Sequence, residues 1–167
     1  LDHEDDDPGT TWNERARTRE PGKMSPRMAW RAITSVLPKD AIISSDIGNN
    51  CAIGNAYPTF EQGRKYLAPG LFGPCGYGFP AICGAKIAQP DVPVVGFAGD
   101  GAFGISMNEM VSVGRDEWPP ITMIIFRNYQ WGAEKRNTTL WFDDNFVGTE
   151  LDTDVTYAGI AQQCGVK

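Results

Sequence analysis

Three features of the 167-residue sequence predict an α/β fold: a doubly wound, mostly parallel sheet with helices on both faces. Apolar runs of five to seven residues recur, at AIISS (41–45), VPVVGFA (92–98) and ITMIIF (121–126). Segments with helical spacing separate them, and runs this apolar suit strands covered on both sides. After the second run, Gly99, Gly101 and Gly104 spell G-x-G-x-x-G in GDGAFG, a strand–turn–helix junction.

The elements follow in order. Residues 1–23 (LDHEDDDPGTTWNERARTREPGK) hold an acidic block and a mixed-charge run broken by Pro8, Gly9, Pro21 and Gly22, and read as a linker or arm. The domain proper is placed at 24–167. Ser25-Pro26 supplies an N-cap and a first-turn proline, Met28, Ala29, Ala32, Ile33 and Val36 repeat at helical spacing, and Pro38 ends the helix. AIISS is a short buried strand ending at Asp46, a helix starts near Asn49, and RKYLA (64–68) is extended. A glycine-rich turn leads to a helix over 77–88, then comes the strand at 92–98 and a helix from Phe103 to Val113. The strand at 121–126 precedes a last helix over 154–163 that stops at Gly165. A further strand is expected after it, so the domain reads as incomplete at its C-terminal end and as part of a longer protein.

Composition excludes several function classes. Five acids among the first seven residues account for most of the net charge of −6, and no basic footprint for nucleic acid is present. No run approaches the ~18 apolar residues of a membrane span, and the amino end does not resemble a signal peptide. Cys51, Cys75, Cys83 and Cys164 form no C-x-x-C pair and His3 is the single histidine, which argues against a zinc site and against Ser-His or Cys-His dyads. Scattered thiols suit a reducing cytoplasm.

The glycine motif poses a chemical question, because Asp100 stands where a dinucleotide pyrophosphate should lie. A carboxylate within about 4 Å of that anion, at a helix start whose dipole favours anions, is repulsive by a few kcal/mol. A dinucleotide reading would also need an acid at the next strand end, where Arg127 and Asn128 stand; Arg127 would suit an NADP-type role. A divalent cation between carboxylate and diphosphate turns the repulsion into two attractions, and Mg²⁺ takes such oxygen ligands. Asn128 stands at the tip of the next strand with 26 residues between it and Gly101, and parallel strand tips line one crevice. Gly101 permits close backbone approach, and the amides of Ala102 and Phe103 open a helix towards an anion. A plainer alternative has Asp100 capping its helix and Asn128 forming a turn.

Gly99-Asp100-Gly101, the gap of 26 and Asn128 together resemble the thiamine diphosphate motif of the pyruvate-oxidase and acetolactate-synthase type enzymes. The usual second asparagine is replaced by Tyr129. The resemblance covers nearly all of 25–167, matches the C-terminal cofactor-binding domain, and implies thiamine diphosphate and Mg²⁺ as cofactors. It implies Asp100, Asn128 and the backbone carbonyl of Gln130 as metal ligands, with Gly99, Gly101, Ala102 and Phe103 beside the diphosphate. GLFGPCGYGFPAICGA (70–85) is similar to the turn that cradles the aminopyrimidine. By that match the Gly73 carbonyl accepts from the 4′-amino group and Cys75 wedges under the cofactor. DIGNN (46–50) resembles the strand-end turn that contacts the diphosphate, through Asn49 and Asn50.

Residues 44–61, 64–78 and 126–151 are similar to the branch that transfers an acetyl group from sulfoacetaldehyde to phosphate and releases sulfite. Other expectations consistent with the motif are a 2-oxo acid decarboxylase or carboligase such as acetolactate synthase, or a noncatalytic cofactor-binding subunit. The resemblance puts the activating glutamate on a pyrimidine-binding domain of the same or a partner subunit, so no catalytic side chain is expected in this chain. It also implies a homodimer or homotetramer. Lys135 and Arg136 are candidates for the anionic substrates, and Trp131 and Trp141 for walls of the pocket.

Overall fold

The computed structural model describes residues 22, 24–56, 58, 60 and 65–167. Apart from Gly22, the arm expected over 1–23 lies outside the described residues. The chain divides into two compact units, Leu1–Leu37 and Pro38–Lys167.

The described part of the first unit is helix α1 (Pro26–Val36). Ser25 Oγ accepts the Met28 N–H at 3.3 Å and Pro26 occupies the first turn, where its missing N–H costs nothing. The helix closes with the Leu37 N–H donating to Ile33 and Leu37 already extended, as the residue before a proline prefers.

The second unit carries β1 (Ile42–Ser45), α2 (Asn49–Gly54), β2 (Tyr66–Leu67), α3 (Gly78–Ala88), β3 (Val94–Gly99) and α4 (Asp100–Ser106). A 3₁₀ turn (Met107–Glu109) leads to α5 (Met110–Val113), then come β4 (Thr122–Phe126), α6 (Gly132–Trp141) and α7 (Tyr157–Gln163). The four strands are all parallel in the order β2-β1-β3-β4, with Ile42 facing Val94 and Gly99 facing Phe126. Chain progression reverses between β1 and β3, and such a switch point opens a crevice beyond the carboxyl ends of the strands. Val94 to Ala98 are buried without a break, so both sides of β3 are covered. One core joins Phe79 and Ile82 of α3, Val94 and Ala98 of β3, Phe103 and Met110, with Tyr157, Ile160 and Cys164 packed against it. Phe103 meets Phe79 at 5.3 Å and stands edge-on to Tyr157 at 5.3 Å.

The strands shift by one or two residues from the sequence expectation, and the larger differences lie in the helices. The helix after β3 begins at Asp100, three residues before Phe103, and is broken at 107–109. The last helix starts at Tyr157 rather than 154. Helix α6 was not expected at all; GAEKRNTTLW has no apolar face to signal one. All four cysteines are free. Among the described residues no helix is long and apolar enough to cross a membrane.

Candidate functional site

The tips of β1, β3 and β4 converge on one set of polar groups. Asp100 opens α4 directly from β3 and is only 2 % exposed. Its Oδ2 accepts the Tyr129 N–H at 2.8 Å and its Oδ1 accepts the Gly101 N–H at 3.2 Å. The Tyr157 hydroxyl donates to its main-chain carbonyl at 2.8 Å. Tyr129 has φ +59, a left-handed conformation that is costly for an aromatic residue and marks a turn fixed by its surroundings.

That turn brings Asn128 and Gln130 to Asp100. The Asn128 side-chain oxygen as placed lies 2.8 Å from the Gln130 carbonyl oxygen and 3.1 Å from Asp100 Oδ1. Oxygens this close repel unless hydrogens or a cation lie among them. Turning the amide over places its NH₂ against both acceptors. In that orientation the amide donates to Gln130 and Asp100, and a carboxylate, an amide and a carbonyl meet at one point, the oxygen-bearing groups that a hard divalent ion takes. Among the described residues no group of three or more His, Cys, Asp and Glu side chains could hold a metal, so any cation here relies on amide and carbonyl oxygens.

Asn49 and Asn50 reach the same place from the start of α2. A β-carbon at position 132 would lie 2.7 Å from Asn128 Nδ2 and 3.1 Å from Asn49 Nδ2, and one at 99 would lie 3.0 Å from Asn50 Nδ2. The structure therefore gathers Asn49, Asn50, Gly99, Asp100 and Asn128. Ala102 and Phe103 are buried in the first turn of α4. Gly101 has a second reason to be glycine: a β-carbon there would lie 2.8–3.0 Å from the Trp131 ring.

The glycine-rich turn is held separately. Asp46, fully buried at the tip of β1, accepts N–H groups from Ile47 at 2.9 Å and Gly76 at 3.0 Å on Oδ1, and from Gly78 at 2.6 Å on Oδ2. A β-carbon at 78 would come within 3.0–3.1 Å of Asp46, so the close approach needs glycine. Gly73 and Cys75 ride on this turn, and no hydrogen bond among the described residues joins them to Asp100 or Asn128. Burial pushes the Cys75 thiol up, with the Glu134 and Asp46 carboxylates adding to the shift. A cavity of about 470 Å³ opens beside the turn, lined by Cys75, Tyr77, Pro80 and Ala81 among others.

The two cationic candidates differ. Lys135 Nζ pairs with the Glu150 carboxylate and lies 4.9 Å from the Phe146 ring centre. That hydrogen bond holds the Glu150 carboxyl below its ordinary value. Arg136 is exposed. Trp141 is 77 % exposed at the end of α6, whereas Trp131 packs on Gly101. Sequence reasoning missed Asp46, whose signal was an acid at a strand tip two residues before Gly48, and Tyr157, which had none.

Comparison with known proteins now decides the family. The C-terminal TPP-binding domain of thiamine pyrophosphate enzymes matches residues 46–167. The chain belongs to this family. It is 78 % identical over its full length to a probable sulfoacetaldehyde acetyltransferase of Rhizobium meliloti (strain 1021), and 77 % identical to the sulfoacetaldehyde acetyltransferase of Roseovarius nubinhibens. It spans 28 % of the length of each of these relatives. A thiamine diphosphate-dependent 4-hydroxybenzoylformate decarboxylase of Rhodococcus jostii RHA1 shares the fold, with a TM-score of 0.78 at 22 % identity, covering 89 % of this chain and 28 % of that one.

Proposed function

We propose that this chain forms the diphosphate-binding half of a thiamine diphosphate site, anchored through Mg²⁺, in an enzyme that converts sulfoacetaldehyde and phosphate to acetyl phosphate and sulfite. The observation that carries the metal assignment is the convergence of the Asp100 carboxylate, the Asn128 side-chain amide and the Gln130 carbonyl within hydrogen-bonding reach of one another. The 78 % and 77 % identity to a probable and a named sulfoacetaldehyde acetyltransferase, over 28 % of the length of each, supports the substrate.

In this reading Asp100, Asn128 and the Gln130 carbonyl would hold the ion, which would neutralise charge on the diphosphate. Asn49 and Asn50 would donate to the diphosphate, with the amides of Ala102 and Phe103 beside it at the helix start. The Gly73 carbonyl would accept from the aminopyrimidine and Cys75 would pack against the cofactor. When bound, the cofactor supplies the carbon nucleophile and the electron sink. In the net reaction the carbon–sulfur bond breaks with its electron pair leaving on sulfite, the aldehyde C–H and a phosphate O–H give way to an acyl–oxygen bond, and the former methylene takes up one of the two protons to become the acetyl methyl. Arg136 is the freer of the two candidate anion contacts, Lys135 being tied to Glu150. The proton-transfer glutamate comes from a pyrimidine-binding domain of the same or a partner subunit, and the assembly is a homodimer or homotetramer in the cytoplasm.

Calorimetric titration of thiamine diphosphate into the intact protein carrying this chain tests the reading. Binding is expected only with Mg²⁺ and is expected to be lost in Asp100→Ala. Equal, metal-independent binding by both proteins would end the Mg²⁺ assignment. Sulfite and acetyl phosphate formed from sulfoacetaldehyde, and no CO₂ from pyruvate, test the substrate.

A further inference from the structure

Arg127 is unaccounted for by this assignment. It ends β4 immediately before Asn128, and a cation beside a cation site needs a reason. Its guanidinium carbon lies 4.4 Å from the centre of the Tyr129 ring and 5.7 Å from that of Tyr157. Both separations are within the reach of cation–π attraction, and a planar guanidinium suits stacking better than an ammonium. Its Nε is shielded from solvent and makes no hydrogen bond among the described residues, so the ring faces are its evident anchor.

The same two tyrosines hold Asp100. Tyr129 donates its backbone N–H to Oδ2, and Tyr157 donates its hydroxyl to the Asp100 carbonyl. Tyr129 does so from a left-handed backbone at φ +59 that its own side chain disfavours. Its carbonyl accepts the Leu151 N–H at 2.9 Å, and the next turn is tied by Trp131 donating to Thr149 at 2.7 Å. The far side of the turn is thus pinned by backbone bonds, and the near side by the Arg127 stack.

We propose that Arg127 is a positioning residue for the ion: seated on Tyr129 and Tyr157, it keeps the Asn128–Gln130 turn and the Asp100 carboxylate in their metal-binding arrangement. This inference rests on the proposed Mg²⁺ site. Its sign is diagnostic. A bare field effect of Arg127 repels a nearby cation, so removing the charge would tighten metal binding. A positioning effect works the other way.

The test is Mn²⁺ affinity in the presence of thiamine diphosphate, read from the free-ion electron paramagnetic resonance signal of the intact protein. Arg127→Met is expected to weaken Mn²⁺ about tenfold, and Arg127→Lys, which keeps the charge but loses the planar stack, about fourfold. In a Tyr129→Gly background, which removes the ring and tolerates the positive φ, Arg127→Met is expected to add little. Unchanged or tighter Mn²⁺ binding in both Arg127 variants, with binding lost in Asp100→Ala, overturns the role of Arg127 and leaves the metal site standing. Retained binding in Asp100→Ala overturns the metal site itself. If Arg127→Met does not fold, Arg127→Lys decides alone, wild-type affinity there refuting the proposal.

Discussion

Asp46→Asn isolates how a buried carboxylate organises the glycine-rich turn. The substitution keeps volume, so no cavity term enters, and only the hydrogen-bond chemistry changes. In the native turn both oxygens accept from backbone N–H groups, two on Oδ1 and one on Oδ2. An amide offers one acceptor oxygen, and its NH₂ must face an N–H whichever way it is turned. The better orientation sacrifices only the 2.6 Å bond from Gly78, which is buried and has no access to water. Losing a hydrogen bond to a charged group costs about 1.5–3 kcal/mol, and the two surviving bonds lose their charge assistance. The sum is about 3 kcal/mol, or roughly two powers of ten in the folded-to-unfolded ratio. Urea unfolding followed by circular dichroism should show a midpoint lower by about 1–3 M with an unchanged slope. Asp46→Ala should fall at least as far, because it abandons all three donors. An Asp46→Asn midpoint equal to the native one would refute the reasoning, since it would mean that the carboxylate charge contributes nothing to the turn.

Two further outcomes are expected. Gly101→Ala should destabilise the chain by about 1–3 kcal/mol, because its β-carbon would sit 2.8–3.0 Å from the Trp131 ring; Trp131→Leu in the same chain should restore most of the loss in urea midpoint, and no rescue would argue against the contact. The Cys83 thiol is pushed from 9.0 up to about 11, first by burial and then by the Glu109 carboxylate. A raised folded value favours the neutral thiol in the native state, so its contribution is whole below pH 9.0 and is lost as pH rises towards about 11. Cys83→Ala should therefore flatten the decline in urea midpoint across that window, and an identical decline in both proteins would contradict the shift.

The strands were legible because parallel sheets favour continuously apolar runs. VPVVGFA is buried from Val94 to Ala98, and ITMIIF is apolar without a competing periodicity although β4 is only half-buried with Thr122 exposed. Asp100 and Asn128 could be paired from sequence because adjacent parallel strands deliver their tips to one crevice, whatever the chain does between them. Gln130 came only from the family resemblance, since a backbone carbonyl leaves no trace in residue type. Helix α6 was illegible for a different reason. GAEKRNTTLW combines a glycine start, an asparagine and two threonines with no apolar stripe, so neither propensity nor periodicity marks it. The early start of α4 at Asp100 was masked by Gly101 and Gly104, which lower helix propensity but are compensated by packing from Trp131 and by the Tyr157 hydroxyl. Asp46 reaches N–H groups 30 and 32 residues away, and such long-range pairing has no local signature.

The pairing of Gly99 with Phe126 has a consequence for assembly. Any ligand clasped by both Asp100 and Asn128 recognises only the chain in which those strands are aligned in that register. A slip by one residue would displace one tip by about 3.3 Å and open the clasp. Ligand present during folding would therefore withdraw correctly zipped molecules from the misaligned pool by mass action, so supply of the ligand would itself raise the yield of sheets in proper alignment.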